Sequence, residues 1–349
     1  MKLKIAGGCG EHGRNCFFVD YTAPFLVDCG IMAGADEPFP YLTENEIKRL
    51  EYVFLTHSHS DHTGALPWLY ESGFSGVIVA SAPTLEQLPF RPKYSIALKK
   101  LHGEIGGIKF LHGRSGHCQG AVWYEFHIDG KKLLFSGDYT EKSLMYHCDE
   151  IRGRTDDIAV IDCAYGNDSR SISECCDEII SAVTELKEQR RTIIFPVPKF
   201  GRGIDLLRLF NEKFSGLTCC GDEHFMSQMG ELTERRWFRN KTLYAKLYTP
   251  GTACDILFLS DPQLRGSYSQ NITESILAAG GAAVMTGTSE RGSMSERLIN
   301  SGKMKLLRYP VHQNHAEFTE LVKHNNFGRV IPYHTPDFSA EYRGTEITV

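Results

Sequence analysis

Hydrophobic positions along the chain gather into short runs that read in two ways, as β-branched and aromatic stretches of strand length and as apolar residues at helical spacing. In the first thirty residues, 3–6, 16–20 and 25–29 read as strands joined by glycine-rich turns. Residues 43–50 are a helix candidate, with Thr43 suited to the N-cap and Glu44 and Glu46 placed to complement the helix dipole. Helices are expected over 65–72 and 82–87, the second with Pro83 in its first turn, on either side of a buried-type strand at 76–80. Strands follow at 121–128, 132–135 and 158–162, and Ile179, Ile180, Val183 and Leu186 set a helix over 177–189. A strand at 192–198 opens a new unit, a helix follows Gly201, and 255–260 and 283–287 read as parallel-type strands. Such alternation predicts sheets flanked by helices, an α/β chain.

One apolar run ends unlike the others. Val53 to Thr56 stops at His57-Ser58-His59-Ser60-Asp61-His62, three histidines and an aspartate within six positions. Side chains alternate with period two, so His57 and His59 leave one side of an extended segment and can reach one metal ion. Asp61 and His62 fall on the following turn, where neighbours point apart and can serve a second ion. Imidazole nitrogen and carboxylate oxygen suit borderline-soft divalent metals, zinc above all, and a catalytic ion keeps one of about four positions open. The stretch therefore offers two half-built sites; the plain alternative is a histidine-rich surface loop.

Composition changes this picture little. With 349 residues, 42 % hydrophobic and 23 % charged, the chain is an ordinary globular protein of two expected domains. A net charge of −5 argues against a uniformly basic nucleic-acid binder and leaves room for a local basic groove. The eleven cysteines include no CxxC pair, the N-terminus lacks a signal-peptide pattern, and no apolar run approaches ~20 residues. A cytoplasmic protein with free thiols and no membrane span is expected, with Cys175-Cys176 and Cys219-Cys220 structural. Gly8, Gly10 and Gly13 match a dinucleotide fingerprint, but a strand-like run follows where a helix is required, so that site is rejected.

His57 to His62 resembles the HxHxDH signature of the metallo-β-lactamase fold superfamily, which implies an αββα sandwich with a metal site at one edge. Gly7, Gly8, Glu11, Gly13, Arg14, Asn15 and Cys16 resemble the GG-x-x-E-x-G-R-N-C opening of one branch. Asp28 matches the first acidic motif, whose implied role is to support the metal ligands. His117 matches the Gly-His of the third motif, and Asp138, after Ser136-Gly137, the aspartate implied to bridge two metals. Asp162-Cys163-Ala164-Tyr165-Gly166 is similar to motif A of the β-CASP family. Residues 196–207 resemble the segment that begins the β-CASP insertion, with Pro198 for Phe and Asp205 for Glu. His315-Ala316-Glu317 is similar to the S-x-H-x-D of motif B, and Val330 to Thr335 to motif C. Gln313-Asn314 and Thr335-Pro336 depart from the usual pattern. The resemblance implies a metallo-β-lactamase domain over 1–191, a compact α/β β-CASP insertion over 192–304, and a return over 305–349.

What the resemblance implies chemically is a metal-dependent phosphodiester hydrolase, a ribonuclease using a hydroxide bridged by two zinc ions, with Mn2+ as the other candidate metal. One ion would be held by His57, His59, His117 and Asp138, the other by Asp61, His62, Asp138 and His334. The catalytic set expected is His315, Asp162 and Asp61, with His315 donating a proton to the leaving oxygen and Asp162 orienting it. Lys199 and Arg202 could face a substrate phosphate. Single-stranded RNA is the expected substrate and DNA the alternative; the oligomeric state is open, a homodimer being one option. Two rival readings stand beside this one: a hydrolase of a small ester, thioester or phosphodiester with the insertion as a lid, and a non-catalytic RNA-binding subunit.

Overall fold

The structure, a computed structural model, describes residues 1–189 and 191–349. Two compact units make it up, Met1–Glu141 with His147–Ser169 and His312–Val349, and Lys142–Tyr146 with Arg170–Val311.

The first unit opens with β1 (Lys2–Gly7), β2 (Cys16–Asp20), β3 (Phe25–Val27), α1 (Glu44–Arg49), β4 (Tyr52–Phe54), α2 (Ser60–Thr63), α3 (Leu66–Glu71), β5 (Val77–Ala80), α4 (Ala82–Gln87) and β6 (Ser95–Ala97). Next come β7 (His102–Ile105), β8 (Ile108–Arg114), β9 (Val122–Ile128), β10 (Lys131–Phe135) and β11 (Thr155–Asp162). The second unit contributes α5 (Ile172–Glu188), β12 (Ile193–Pro196), α6 (Arg202–Lys213), β13 (Cys219–Gly221), α7 (Glu223–Glu231), β14 (Lys246–Leu247), β15 (Ile256–Leu259), α8 (Ser267–Ala278), β16 (Ala282–Met285), α9 (Met294–Asn300) and β17 (Met304–Leu306). The chain returns to the first unit with α10 (His315–Lys323), β18 (Asn326–Tyr333) and β19 (Glu346–Thr348).

Two sheets build the first unit, in the orders β19-β1-β2-β3-β4-β5-β6 and β18-β11-β10-β9-β8-β7. Strand alternation sends Phe17, Phe25 and Phe54 of the first sheet onto Phe135 and Phe126 of the second, with ring centroids 4.8–5.6 Å apart. The intervening residues Cys16, Phe18, Leu26 and Val53 point the other way and pack under Ile47 of α1 and Leu66 and Leu69 of α3. On the far face of the second sheet, Leu321 of α10 covers Trp123, Leu134, Ala159 and Ile161. Helix, sheet, sheet and helix thus form the expected αββα sandwich.

The second unit is a six-stranded sheet of order β14-β13-β15-β12-β16-β17, parallel throughout. Helix α5 belongs to this unit and starts at Ile172, five residues before the expected 177. Ser171 Oγ accepts from Glu174 N while the Glu174 carboxylate accepts from Ser171 N, a capping box that adds a turn in front of the apolar spacing. The unit's main segment runs Arg170–Val311 and is joined by Lys142–Tyr146, whereas the insertion expected from sequence spans 192–304. All eleven cysteines are free thiols, and no helix among the described residues is long and apolar enough to cross a membrane.

Candidate metal centre

Strands β3, β4, β5 and β6 run parallel, as do β10, β11 and β18, so their C-terminal ends collect at one edge of each sheet. Polar residues follow those ends: Asp28 after β3, His57 to His62 after β4, Asp138 after β10, Asp162 closing β11, and His334 after β18. His117 comes from the β8–β9 connection. The carboxyl ends of parallel strands are where open α/β sheets place ligands. The backbone turns sharply at two of these points. Asp28 and His334 are non-glycine residues at φ 60° and 68°, a left-handed conformation that costs roughly 1–2 kcal/mol. At Asp28 this turn ends β3 at Val27, two residues short of the expected strand.

The His57–His62 stretch leaves β4 extended and then closes into α2, with His59 as its N-cap residue. Three backbone bonds hold it in place: Cys29 N donates to His62 O at 2.8 Å, Ile31 N to Ser60 O at 3.0 Å and Asn15 N to Asp61 O at 2.9 Å. Gly30 lies so close that a Cβ there would stand 1.6 Å from Asp61 O, which explains a glycine at that position. Asn15, from the N-terminal motif, also brings its amide nitrogen to 2.8 Å from His62 Nε2. Glu11 and Arg14 of the same motif form a buried ion pair at 2.8 Å.

Ligand-type atoms assemble into overlapping groups, His57, His59, His117 and Asp138, then Asp61, His62, Asp138 and His334, each within 4.8 Å. Asp138 joins them by turning one oxygen to each. Its Oδ2 lies 3.4 Å from both His57 Nε2 and His117 Nε2, and its Oδ1 lies 3.0 Å from His62 Nε2 and 3.2 Å from His334 Nδ1. His57 Nε2 and His334 Nδ1 are buried and have no hydrogen-bond partner among the described residues. Orphaned ring nitrogens around a shared carboxylate are what divalent-metal ligands look like, and the nitrogen and oxygen donors fit zinc or manganese. Asp28 supports this set from behind, accepting from Thr56 N and from His62 Nδ1, each at 2.7 Å. That bond turns His62 Nε2 toward the shared carboxylate.

Charge balance is tight. Burial pushes His57 well below the usual imidazole range, which favours the neutral, ligating form. Burial would lower His62 and His334 too, but the carboxylate of Asp138 outweighs it, with Asp61 and Asp28 adding at His62 and Asp162 and Asp61 at His334, and both rings are held well above that range. Asp138 and Asp61, though buried, are held far below the carboxylate range by these same rings. A cation entering here competes with protons on His62 and His334, so binding releases them.

The residue placed on Asp162 is His312. Its Nδ1 stands 2.8 Å from Asp162 Oδ2, and its ring lies 4.9 Å from that of His117 and 5.2 Å from that of His334. Asp138, Asp162, His312 and His334 form a third overlapping group. His315, expected in this position, instead starts α10 and stacks on Phe318 and Phe338, apart from the ligand groups. The signal lies in the helix cap. Asn314 Oδ1 accepts from Glu317 N and the Glu317 carboxylate accepts from Asn314 N, so residues 315–317 form the first helical turn. The loop histidine is then His312, and His312-Gln313-Asn314 keeps the H-x-D spacing with Asn314 in the acidic position. Lys199 and Arg202 lie in the second unit, where Lys199 is exposed and Arg202 donates to Thr286 O at 2.6 Å.

Comparisons with known proteins agree with this edge. The family model of the Metallo-beta-lactamase superfamily matches residues 9–158. The chain is 25 % identical over 251 residues to Cleavage and polyadenylation specificity factor 73 of Drosophila melanogaster, a match covering 62 % of this chain and 36 % of that protein. It is 29 % identical over 255 residues to Transcription termination factor FttA of Methanothermobacter thermautotrophicus, covering 60 % and 39 %. An RNase J-like protein of Methanocaldococcus jannaschii is 25 % identical over 240 residues, covering 60 % and 54 %. The matches thus span under two fifths of the first two relatives' length. A crystal structure of a protein of unknown function from Enterococcus faecalis V583 shares the fold at TM-score 0.65 and 13 % identity, covering 100 % of this chain and 99 % of that one. Residues 9–158 thus carry a metallo-β-lactamase domain, and the HxHxDH loop, the sandwich and these relatives support the β-CASP assignment.

Proposed function

We propose that this protein is a metal-dependent phosphodiesterase that cleaves single-stranded RNA. The observation that carries the reading is Asp138, which turns one carboxylate oxygen to each of two histidine groups. His57, His59, His117 and Asp138 would hold one divalent cation, and Asp61, His62, Asp138 and His334 a second, zinc in the first instance and Mn2+ as the alternative. What two such cations supply when bound is Lewis acidity toward the phosphoryl oxygens and the attacking water.

The chain's own residues handle orientation and protons. Asp162 accepts from Tyr139 N at 2.9 Å and Ala164 N at 3.0 Å, which fixes its carboxylate against the His312 ring. With Nδ1 engaged by Asp162, His312 keeps Nε2 for the substrate, and as imidazolium it delivers a proton to the leaving 3′-oxygen. His312 therefore takes the part expected of His315. The second unit contains the β-CASP-like insertion, and Lys199 and Arg202 remain its candidate phosphate contacts. Relatives named as a cleavage and polyadenylation factor and as RNase J-like support an RNA substrate, and free thiols suit a cytoplasmic setting.

Labelled single-stranded RNA incubated with purified protein tests the reading. Expected is cleavage abolished by chelator and restored by Zn2+ or Mn2+, and lost in His312→Ala at unchanged metal content. Turnover of a small ester or thioester with inert RNA would sink it.

A further inference from the structure

A basic strip lies on the first unit beside the candidate metal centre. From Gln87 to Gly103 the chain carries Arg91, Lys93, Lys99 and Lys100 and no acidic residue, in a protein of net charge −5. All four cations are exposed, and none stands in an ion pair among the described residues; Glu86 and Glu104 only flank the run. Three apolar side chains are interleaved with them in the open: Tyr94 at 51 %, Ile96 at 39 % and Leu101 at 55 % exposure. Lys93 lies over the Tyr94 ring at 5.2 Å.

The strip is tied to the centre by register. Phe54, Val79 and Ile96 are paired side by side across β4, β5 and β6. His57 follows Phe54 by three residues as Lys99 follows Ile96, and β4 and β6 are two strand spacings apart, about 10 Å. β6 is the edge strand of its sheet, so nothing of that sheet lies beyond it. Gln87, where the run starts, accepts from Ser58 Oγ at 2.6 Å and donates to Gln119 O at 3.3 Å, touching the loops of His57–His59 and His117. Exposed cations tracking a phosphate backbone, with an exposed aromatic ring for a base, is how single strands are held without sequence preference.

We propose that the β6 edge is a binding track for single-stranded RNA, in which Lys99 and Lys100 hold phosphates next to the metal centre and Tyr94 stacks on a base farther along. The inference rests on the RNA reading of the centre and adds the surface that carries the strand. Binding of a fluorescein-labelled 20-nucleotide RNA, followed by anisotropy in chelator so that no cleavage intervenes, tests it. Lys99→Glu with Lys100→Glu should weaken binding about tenfold or more and flatten the log–log salt slope by about 1.4, two phosphate contacts on a single strand. Tyr94→Ala should cost about fivefold or more while Tyr94→Phe retains affinity, because stacking needs the ring and not the hydroxyl. Lys2→Glu with Lys48→Glu, an equal charge change on exposed residues elsewhere in the same unit, should leave affinity within about twofold.

Wild-type protein that does not bind the RNA overturns the track, as does equal weakening by both double variants. Unchanged affinity in the Lys99/Lys100 variant together with a changed sedimentation coefficient would assign the strip to a protein partner. Wild type that binds through Lys99 and Lys100 yet cleaves neither RNA nor bis(p-nitrophenyl) phosphate would leave the track standing and sink the nuclease reading alone.

Discussion

Asp162 and Asp205 are both buried aspartates at the boundary of a regular element, one closing β11 in the first unit and one in the first turn of α6 in the second. Their carboxyls move in opposite directions. Burial raises both, but at Asp162 the His312 ring and its hydrogen bond outweigh burial, with His334 adding, and bring it down to about 2. Asp205 meets only neutral donors on the residues bonded to it, Ser143 Oγ at 3.0 Å from each oxygen and Met145 N at 2.8 Å, and it stands at about 6. Burial and hydrogen bonding are common to the two; a facing imidazole is not. At Asp162 a facing ring keeps the buried carboxylate ionised, whereas at Asp205 neutral donors leave burial the stronger influence.

The harshest trial of that distinction is Asp138, which faces rings on both sides. Asp138→Asn removes one anionic oxygen from each histidine group, and we expect both metal equivalents to be lost in mass-spectrometric metal analysis. Cleavage should fall on the order of 10³-fold or more. His334→Ala touches one group and should release one equivalent only. An Asp138→Asn protein that keeps two ions would show that the carboxylate is not shared.

His312 against His315 comes next. His312→Ala should lower kcat by about 10²- to 10⁴-fold, the usual worth of a positioned proton donor, with metal content unchanged. His315→Ala should stay within about threefold, because that ring packs on Phe318 and Phe338. The reverse outcome would return the proton to His315 and break the link drawn between Asp162 and the reaction.

That pair also marks where sequence stopped being sufficient. The candidate ligands His57, His59, Asp61 and His62 could be read from spacing, since a strand that ends and turns places them within six residues. Asp28, His117, Asp138 and His334 hang on four other strand ends, and only resemblance to motifs joins them in advance. Where the sequence departs from the motif, at Gln313-Asn314, the motif spacing points to the histidine preceding an acid, His315, whereas the Asn314–Glu317 capping box makes that stretch helix. The start of α5 at Ile172 has the same physical origin, a capping box at Ser171–Glu174 that lies ahead of the apolar periodicity. Asn15 stands out in sequence only as part of a motif; its contact with His62 is hidden by the chain separation that the sheet closes. Sheet order and strand polarity decide these contacts, and neither is written locally.

Asp28 tests the support behind the centre. Its bonds to Thr56 N and His62 Nδ1 hold one ring of one group, so Asp28→Asn should weaken that group's metal about 10- to 100-fold and spare the other. Titration with a competing zinc dye reads this as one weakened and one retained equivalent. Equal weakening of both would mean that Asp28 acts through the whole sandwich edge.

The smallest effect belongs to Asp205. Its folded carboxyl at about 6 lies above the ordinary 3.8, so its contribution to stability is complete below 3.8 and is lost as pH rises through 6. Between pH 5 and pH 8 this amounts to on the order of 1 kcal/mol. Calorimetric melts of wild type and Asp205→Asn across that range should therefore differ in slope, the wild type losing a few degrees more than the variant. Asp162 and the rest of the metal edge titrate alike in both proteins, so the difference isolates Asp205. RNA cleavage by Asp205→Asn at 25 °C should remain within about threefold of wild type, since the residue faces no imidazole. A folded variant that has lost cleavage would place Asp205 with the chemistry, and neutral donors would no longer distinguish scaffold from site.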